Sequence, residues 1–288
     1  MGEDILRALK VVAVVAAIVC SAFSMGVAAP KNIEPSRVAP KPIRALLVLG
    51  GCCHEYDKQK EILASGIAAR ANVKLTIAYD PDTGTTHLNP VYENPDWAKD
   101  YDVVIHDECT SDMKDPGMTD RVLAPHKNGL PAVILHCGEH TFRGGDWPKS
   151  TPWFDFTGVA STAHGPQVPI EVTYVDKEDS ITKGFENWTT INEEMYNNSA
   201  GKLLDTAKPL AGGKQAYKRG NGEEVKADAV VVWTNLYAGK AKVFATTLGH
   251  NTATVGDPRY LDLVTRGLLW SVGKLDKNGK PKEGFGPK

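Results

Sequence analysis

The histidines and cysteines of this chain fall in a few short segments. Gly50-Gly51-Cys52-Cys53-His54-Glu55, His106-Asp107-Glu108-Cys109, His136-Cys137-Gly138-Glu139-His140 and Thr247-Leu248-Gly249-His250-Asn251 hold five of its eight histidines and four of its five cysteines. Imidazole and thiolate are the ligands zinc prefers. His136, His140 and His164 are the expected ligand set, and a divalent metal such as zinc is the one cofactor in view. The local H-C-x-x-H spacing is a weak metal signature, because one turn cannot easily aim three neighbouring side chains at one point. A different chemistry is offered by Asn192-Glu193-Glu194-Met195-Tyr196, where carboxylates stand beside a phenol. There Glu194, with His140 or His250, would move protons next to a sugar hydroxyl or carbonyl. The plain alternative for Glu193-Glu194 is a solvated pair of loop charges.

Nucleophilic catalysis is the third chemistry these residues offer. Cys137 follows the expected strand Pro131–His136 directly, at the place of a nucleophile elbow. A thiolate needs a base, which His250 could supply. Two residues further on stands Thr252, where an amidotransferase of such an architecture would carry a carboxylate to orient the histidine. Glutamine hydrolysis is therefore excluded. Taken singly, His106 and His136 at strand ends are expected to make core hydrogen bonds. Trp147, Trp153, Trp188 and Trp233 lie in or near the same loops, where indole faces stack on sugar C–H faces or simply pack in a core.

The elements that must position these residues are legible from hydrophobic periodicity. Arg44–Leu49, Val73–Ala78, Tyr101–His106 and Pro131–His136 read as parallel strands, with helices from Asp57 to about Ala71 and from Met118 to Lys127 between them. That alternation implies a three-layer, doubly wound, mainly parallel α/β sheet, in which ligands bind beyond the carboxyl ends of the strands. Pro169–Tyr174 alternates like an antiparallel strand. Ala229–Trp233 and Ala241–Thr246 suggest an added antiparallel hairpin. Asp257-Pro258 marks the start of a last helix ending near Gly273.

The rest of the chain frames one domain. Arg7 and Lys10, the apolar run Val11–Phe23 and the small residues Gly26–Ala29 have the pattern of a signal peptide over residues 1–29. The alternative, an uncleaved N-terminal anchor, would also export the domain. A Pro/Lys linker follows over residues 30–42, then the domain from 43 to 275 and a Gly/Pro-rich tail, 276–288, expected to be flexible. Over 288 residues, 33 Lys and Arg against 35 Asp and Glu give a formal charge of -2, without the basic footprint of a nucleic-acid or anionic-membrane binder. The mature domain is expected to bind a small molecule, with no nucleic acid and no membrane, and is compatible with a homo-oligomer. A core of this size needs no disulfide framework. Adjacent Cys52 and Cys53 are poorly placed to pair with each other, so the four cysteines of the domain read as site or core residues before staples, with a single bridge such as Cys53–Cys109 as the alternative.

Several of these segments recur together in one family. Gly50–Tyr56, Leu135–Arg143, His164-Gly165, Glu194-Met195-Tyr196, Val232–Asn235 and Thr246–His250, in this order over about Ile43 to Leu275, resemble the trehalose-utilisation (ThuA-like) family. The resemblance implies a class I glutamine-amidotransferase-like, flavodoxin-type fold without the amidotransferase triad. It also implies a role in sugar catabolism, including disaccharides oxidised at the third carbon. It favours His54, His136, His140, Arg143, His164, Glu194, Tyr196, His250 and Asn251 as the pocket, to which Trp233 is added as a sugar contact. Related sequences often carry Ser or Gly where this chain has Cys137, which argues against an obligatory thiol nucleophile. The expected function is thus hydrolysis, elimination or isomerisation of a glycoside or 3-keto sugar in an exported compartment. Glu194, His140 and His250 would move protons there, while Arg143 and Asn251 hold oxygens. The competing expectation is a non-catalytic carbohydrate-binding or sensing domain, whose histidines would have no reason to meet in one cleft.

Overall fold

The computed structural model describes residues 40–143, 151–161, 163–197 and 203–288. The signal segment, all of the linker before Pro40, and Trp147 lie outside the described residues. Among the described residues no helix is long and apolar enough to cross a membrane.

Strand β1 (Ile43–Gly51) shows why the sheet is central. Ala45, Leu47 and Leu49 enter one hydrophobic core, while Leu46 and Val48 enter the other. A strand apolar on both faces belongs inside a parallel sheet covered by helices. It pairs in parallel with β2 (Val73–Asp80) and β3 (Val103–Cys109). β3 continues to β4 (Ala132–Leu135), and β4 to β9 (Ala241–Thr246), also in parallel. Helices α1 (Tyr56–Ala68) and α5 (Pro258–Ser271) cover one face; α2 (Pro116–Lys127) and α3 (Pro152–Thr157) cover the other. Asp257 caps α5 by accepting the backbone N–H of Arg259, with Pro258 at the first helical position.

Past β9 the sheet turns antiparallel, through β8 (Glu224–Tyr237), β7 (Ala207–Lys218), β5 (Val168–Tyr174) and β6 (Trp188–Glu193). The full order is β2-β1-β3-β4-β9-β8-β7-β5-β6. The expected hairpin is β8–β9, and two further strands, β6 and β7, extend it. β7 gave no strand signal because Gly212-Gly213 interrupt its pattern. The second of these is needed, since a Cβ on Gly213 would stand 2.6 Å from Val231 Cγ1.

Two expectations about boundaries are corrected. The tail 276–288 is not loose: Leu275 and Pro281 form a β-bridge, and Phe285 accepts the Asn72 N–H and packs on the core. One aromatic anchor overrides a composition of Gly, Pro and Lys, and the ordered domain runs on through the tail. β4 ends at Leu135 instead of His136, and His136–Glu139 form a 3₁₀ turn.

Candidate functional site

The carboxyl ends of the parallel strands converge on one cavity. Gly50 and Gly51 open it, with φ of 140° and 94°; a Cβ on either would sit 2.4 Å from the Asp80 carbonyl oxygen or 2.3 Å from that of Cys109. Only glycine lets β1 end so close to its neighbours, and Cys52-Cys53-His54 then emerge at the rim. From the end of β4 come His136, Cys137, His140 and Arg143, and from the end of β9 comes His250. The antiparallel part supplies His164 and Tyr196, which meet in an isolated β-bridge, together with Gln167 and Glu194. The cavity measures about 380 Å³, and its walls include Cys52, Cys53, His54, Cys109, Cys137, His140, Arg143, His164, Glu194 and Tyr196. A larger hollow of about 970 Å³ lies at the opposite ends of the strands, around Lys41, Arg44, Lys242 and Lys274, and contains no histidine or cysteine.

Glu194 is the centre of charge. Its Oε2 lies 3.2 Å from His250 Nδ1, 3.6 Å from His164 Nε2 and 3.7 Å from His136 Nε2. Gln167 Nε2 donates to its Oε1 at 3.2 Å. Burial alone would raise the Glu194 carboxyl, but hydrogen bonding and charge from the histidines reverse this and hold it below the usual carboxylate range. Burial likewise lowers His250, and the Glu194 carboxylate outweighs it, so this imidazole is raised. His54 is pushed down to about 2, first by burial and then by the charges of His136 and His250. His140 is also lowered, by burial, Arg143 and its neighbouring histidines. The cavity thus combines an ionised carboxylate, one histidine that protonates readily and two held neutral.

Tautomers follow from fixed acceptors. His136 Nδ1 donates to the Thr247 carbonyl at 2.7 Å, so Nε2 presents its lone pair and accepts from the Tyr196 hydroxyl at 3.1 Å. The Tyr196 ring stacks on His140, with centroids 3.9 Å apart and planes 5° from parallel. Gln167 Nε2 also donates to His250 Nε2 at 2.8 Å, which leaves the proton on Nδ1, facing Glu194. Charging His250 therefore requires the Gln167 amide to present its oxygen instead.

Among the described residues four that are not glycine have positive φ, and two of them stand at the cavity: His136 at 40° and Cys53 at 81°. Because β4 stops one residue early, His136 takes the sharp turn where Cys137 was expected, and Cys137 lies in the 3₁₀ turn behind it. The cysteine pairing also differs from expectation: Cys52 bonds to Cys53, and Cys109 to Cys137. The turn at Cys53, with φ 81°, brings the adjacent thiols together.

Of the other expected residues, His54, His140, Arg143, His164, Glu194 and Tyr196 line the cavity, and His136 and His250 touch it through Glu194 and Tyr196. Trp233 does not. It is wholly buried in the core, and its indole N–H donates to the Thr157 carbonyl. The Asn251 side chain caps the short helix α4 (Thr252–Val255) by accepting the Ala253 N–H. The triad His136, His140 and His164 is not the convergent set: His140 Nε2 bonds Ser161 Oγ, and His164 Nδ1 faces the Gly165 carbonyl. Donor atoms of His54, His136 and His250 do lie within 4.8 Å of one another.

Two residues with clear roles escaped sequence reasoning. Glu193, fully buried, accepts the backbone N–H groups of Gly249, His250 and Asn251 at 3.2, 3.0 and 2.9 Å. It pins the β9–α4 loop and so aims His250. Gln167 bridges Glu194 and His250. The only sequence signal for Glu193 was its place in the doublet with Glu194.

A doubly wound sheet with titratable loops at its strand ends defines a three-layer α/β protein. Within that class the chain belongs to the ThuA family, trehalose utilisation, which it matches over residues 45–271. Similar solved structures include two of ThuA-like proteins. A protein of Parabacteroides merdae described as ThuA-like is 20% identical, with 86% of this chain and 97% of that chain covered and a TM-score of 0.56. Another, of Bacteroides uniformis, is 18% identical, with 86% and 98% covered and a TM-score of 0.60. At these identities the likeness concerns the fold. A search of curated proteins finds no match.

Proposed function

We propose that this ThuA-family protein processes a glycoside or a 3-keto sugar by acid–base chemistry. The observation that carries this proposal is the Glu194 carboxyl group inside a cavity, its Oε2 within 3.7 Å of three imidazoles. Glu194 takes the proton from a carbon or hydroxyl next to a carbonyl, and His250, the imidazole that protonates readily, returns one to the departing oxygen. Arg143, in the cavity wall, holds the substrate oxygen on which negative charge develops. Elimination from and isomerisation of a 3-keto sugar share this first proton transfer, and hydrolysis of a 3-keto glycoside follows when water adds to the eliminated product. An unoxidised glycoside would instead need the proton delivered first to its glycosidic oxygen. The meeting of the histidines in one cleft argues against a purely binding domain, which needs aromatics and amides more than bases. The Arg7–Ala29 pattern supports work outside the cytoplasm.

A metal-assisted version has its own support. His54, His136 and His250 converge, and His136 spends its other ring nitrogen on a backbone carbonyl, as metal-binding imidazoles commonly do. His54 Nδ1 is buried without a hydrogen-bond partner. These three imidazoles would hold a divalent cation such as zinc, which would polarise a sugar carbonyl.

The experiment is a screen of 3-keto disaccharides and their parent glycosides with purified protein, before and after chelation, followed by Glu194→Gln on any substrate found. Loss of turnover in Glu194→Gln with substrate binding retained is the expected result. Unchanged turnover would remove Glu194 from the chemistry. Binding without turnover in the wild type would favour the sensing domain.

A further inference from the structure

One wall of the cavity is built of sulfur. Cys52–Cys53 and Cys109–Cys137 are bonded pairs, and the two pairs touch, with Cys52 Sγ 3.5 Å from Cys109 Sγ. Access falls steadily along the series. Cys53 is exposed and Cys52 half-buried, whereas Cys109 and Cys137 are 3% and 5% exposed. A thiolate arriving from solution reaches the outer pair first. Thiol–disulfide exchange needs a thiolate to approach a disulfide sulfur, and its rate depends on that access. The inner pair meets that condition through Cys52, which already stands against Cys109.

We propose that the two disulfides form a relay, which takes electrons from a dithiol at Cys53 and delivers a thiol at Cys137 inside the cavity. A thiolate of the dithiol attacks Cys53 Sγ; the Cys52–Cys53 bond breaks and its electron pair leaves on Cys52. The Cys52 thiolate attacks Cys109 Sγ, forming Cys52–Cys109 and breaking Cys109–Cys137, whose electron pair leaves on Cys137 and takes up a proton. The second thiol of the dithiol then displaces Cys53 as a free thiol and closes its own disulfide. One dithiol is oxidised, two protein disulfides become one, and Cys53 and Cys137 end as thiols, so two electrons and two protons balance. Cys137 is then a free thiol in the wall beside His140 and Glu194, which alters what the cavity can bind. The relay is independent of the acid–base proposal.

The test treats the intact protein, without air, with one equivalent of dithiothreitol, then quenches with acid, alkylates and maps the peptides by mass spectrometry. Alkylated Cys53 and Cys137 with a Cys52–Cys109 cross-link is the expected pattern. Label on Cys52 and Cys53 with the inner pair intact, label confined to the inner pair, or no label at all would each overturn the relay. Cys53→Ser gives a second measurement, because it leaves a permanent thiol at Cys52. Without any reductant the label is expected on Cys137, and label on Cys52 would sink the proposal. In Cys52→Ser, reduction of Cys109–Cys137 is expected to slow about tenfold or more, and an unchanged rate counts against it.

Discussion

The molecule contains two clusters with nearly the same composition. One joins Glu194, His136, His250 and Tyr196 at the cavity. The other joins Glu108, His106, His126 and Tyr92 in the core under α2. There the Tyr92 hydroxyl donates to Glu108 Oε1 at 2.6 Å, and His106 Nδ1 lies 2.9 Å from the same oxygen. His126 Nδ1 must donate to the Leu130 carbonyl, so its Nε2 accepts from His106 Nε2–H at 3.1 Å. Every imidazole nitrogen of the sealed cluster is occupied, and Trp97, Trp153 and Phe156 pack around it. At the cavity, by contrast, His164 is exposed and Glu194 faces open space. Residue type therefore does not make a site. Groups left reachable do.

That contrast is sharpest in a pair of substitutions. Glu194→Gln is expected to lower turnover by about 10²–10⁴-fold in protein that still folds. His106→Ala should do the reverse: unfolding in denaturant should register a loss of about 3–5 kcal/mol, with turnover per folded molecule retained. If His106→Ala abolished turnover in well-folded protein, the sealed cluster would have to be coupled to the cavity.

The two tyrosines separate the clusters more finely. Tyr196→Phe removes the donor to His136 Nε2 and is expected to cut kcat by about 5–100-fold, the equivalent of about 1–3 kcal/mol. Tyr92→Phe deprives Glu108 of a donor and should cost a similar free energy in stability, read from the unfolding midpoint. Equal effects of both on kcat would erase the distinction.

The last contrast concerns pH. Burial and the charge of His106 push His126 down to about 3, so the unfolded chain binds a proton near pH 6.5 that the folded chain refuses until far lower. Stability is therefore lost as pH falls through that window, by about 1.4 kcal/mol per pH unit for such a group. Replacing His126 with Asn should make the acid limb of stability against pH shallower by that amount, and an unchanged slope would show that His126 is not held neutral. Glu194 acts lower on the scale. Its depressed carboxyl contributes stability above the ordinary carboxylate range, and that contribution is lost as pH falls towards its folded value.

The parallel half of the fold was legible because buried strands such as Leu46–Leu49 and Val133–Leu135 read as unbroken apolar runs, and the chemistry-bearing residues stood directly after them. Most of the expected cavity residues followed from that rule. Legibility failed where meaning came from distant partners. Glu193 and Glu194 look alike in sequence, and only the arrival of three backbone N–H groups from residues 249–251 separates an anchor from a site residue. Trp233 looked like a sugar contact until α3 was seen to cover it. The tail looked loose because one Phe285 cannot outweigh a Gly/Pro composition in a local window. Adjacent cysteines looked unpairable because nothing local announced the positive φ at Cys53.

The Glu193 clamp also has a mechanical side. Glu194 belongs to the antiparallel wing of the sheet and His250 to the parallel wing, and the two wings meet along the β8–β9 seam. With its carboxylate fastened to the backbone of residues 249–251, Glu193 works as a rivet across that seam. Any twisting of one wing against the other is transmitted to the loop carrying His250, so donor and acceptor travel together. The spacing between the two proton-handling groups is thus insulated from the flexing of the sheet that carries them.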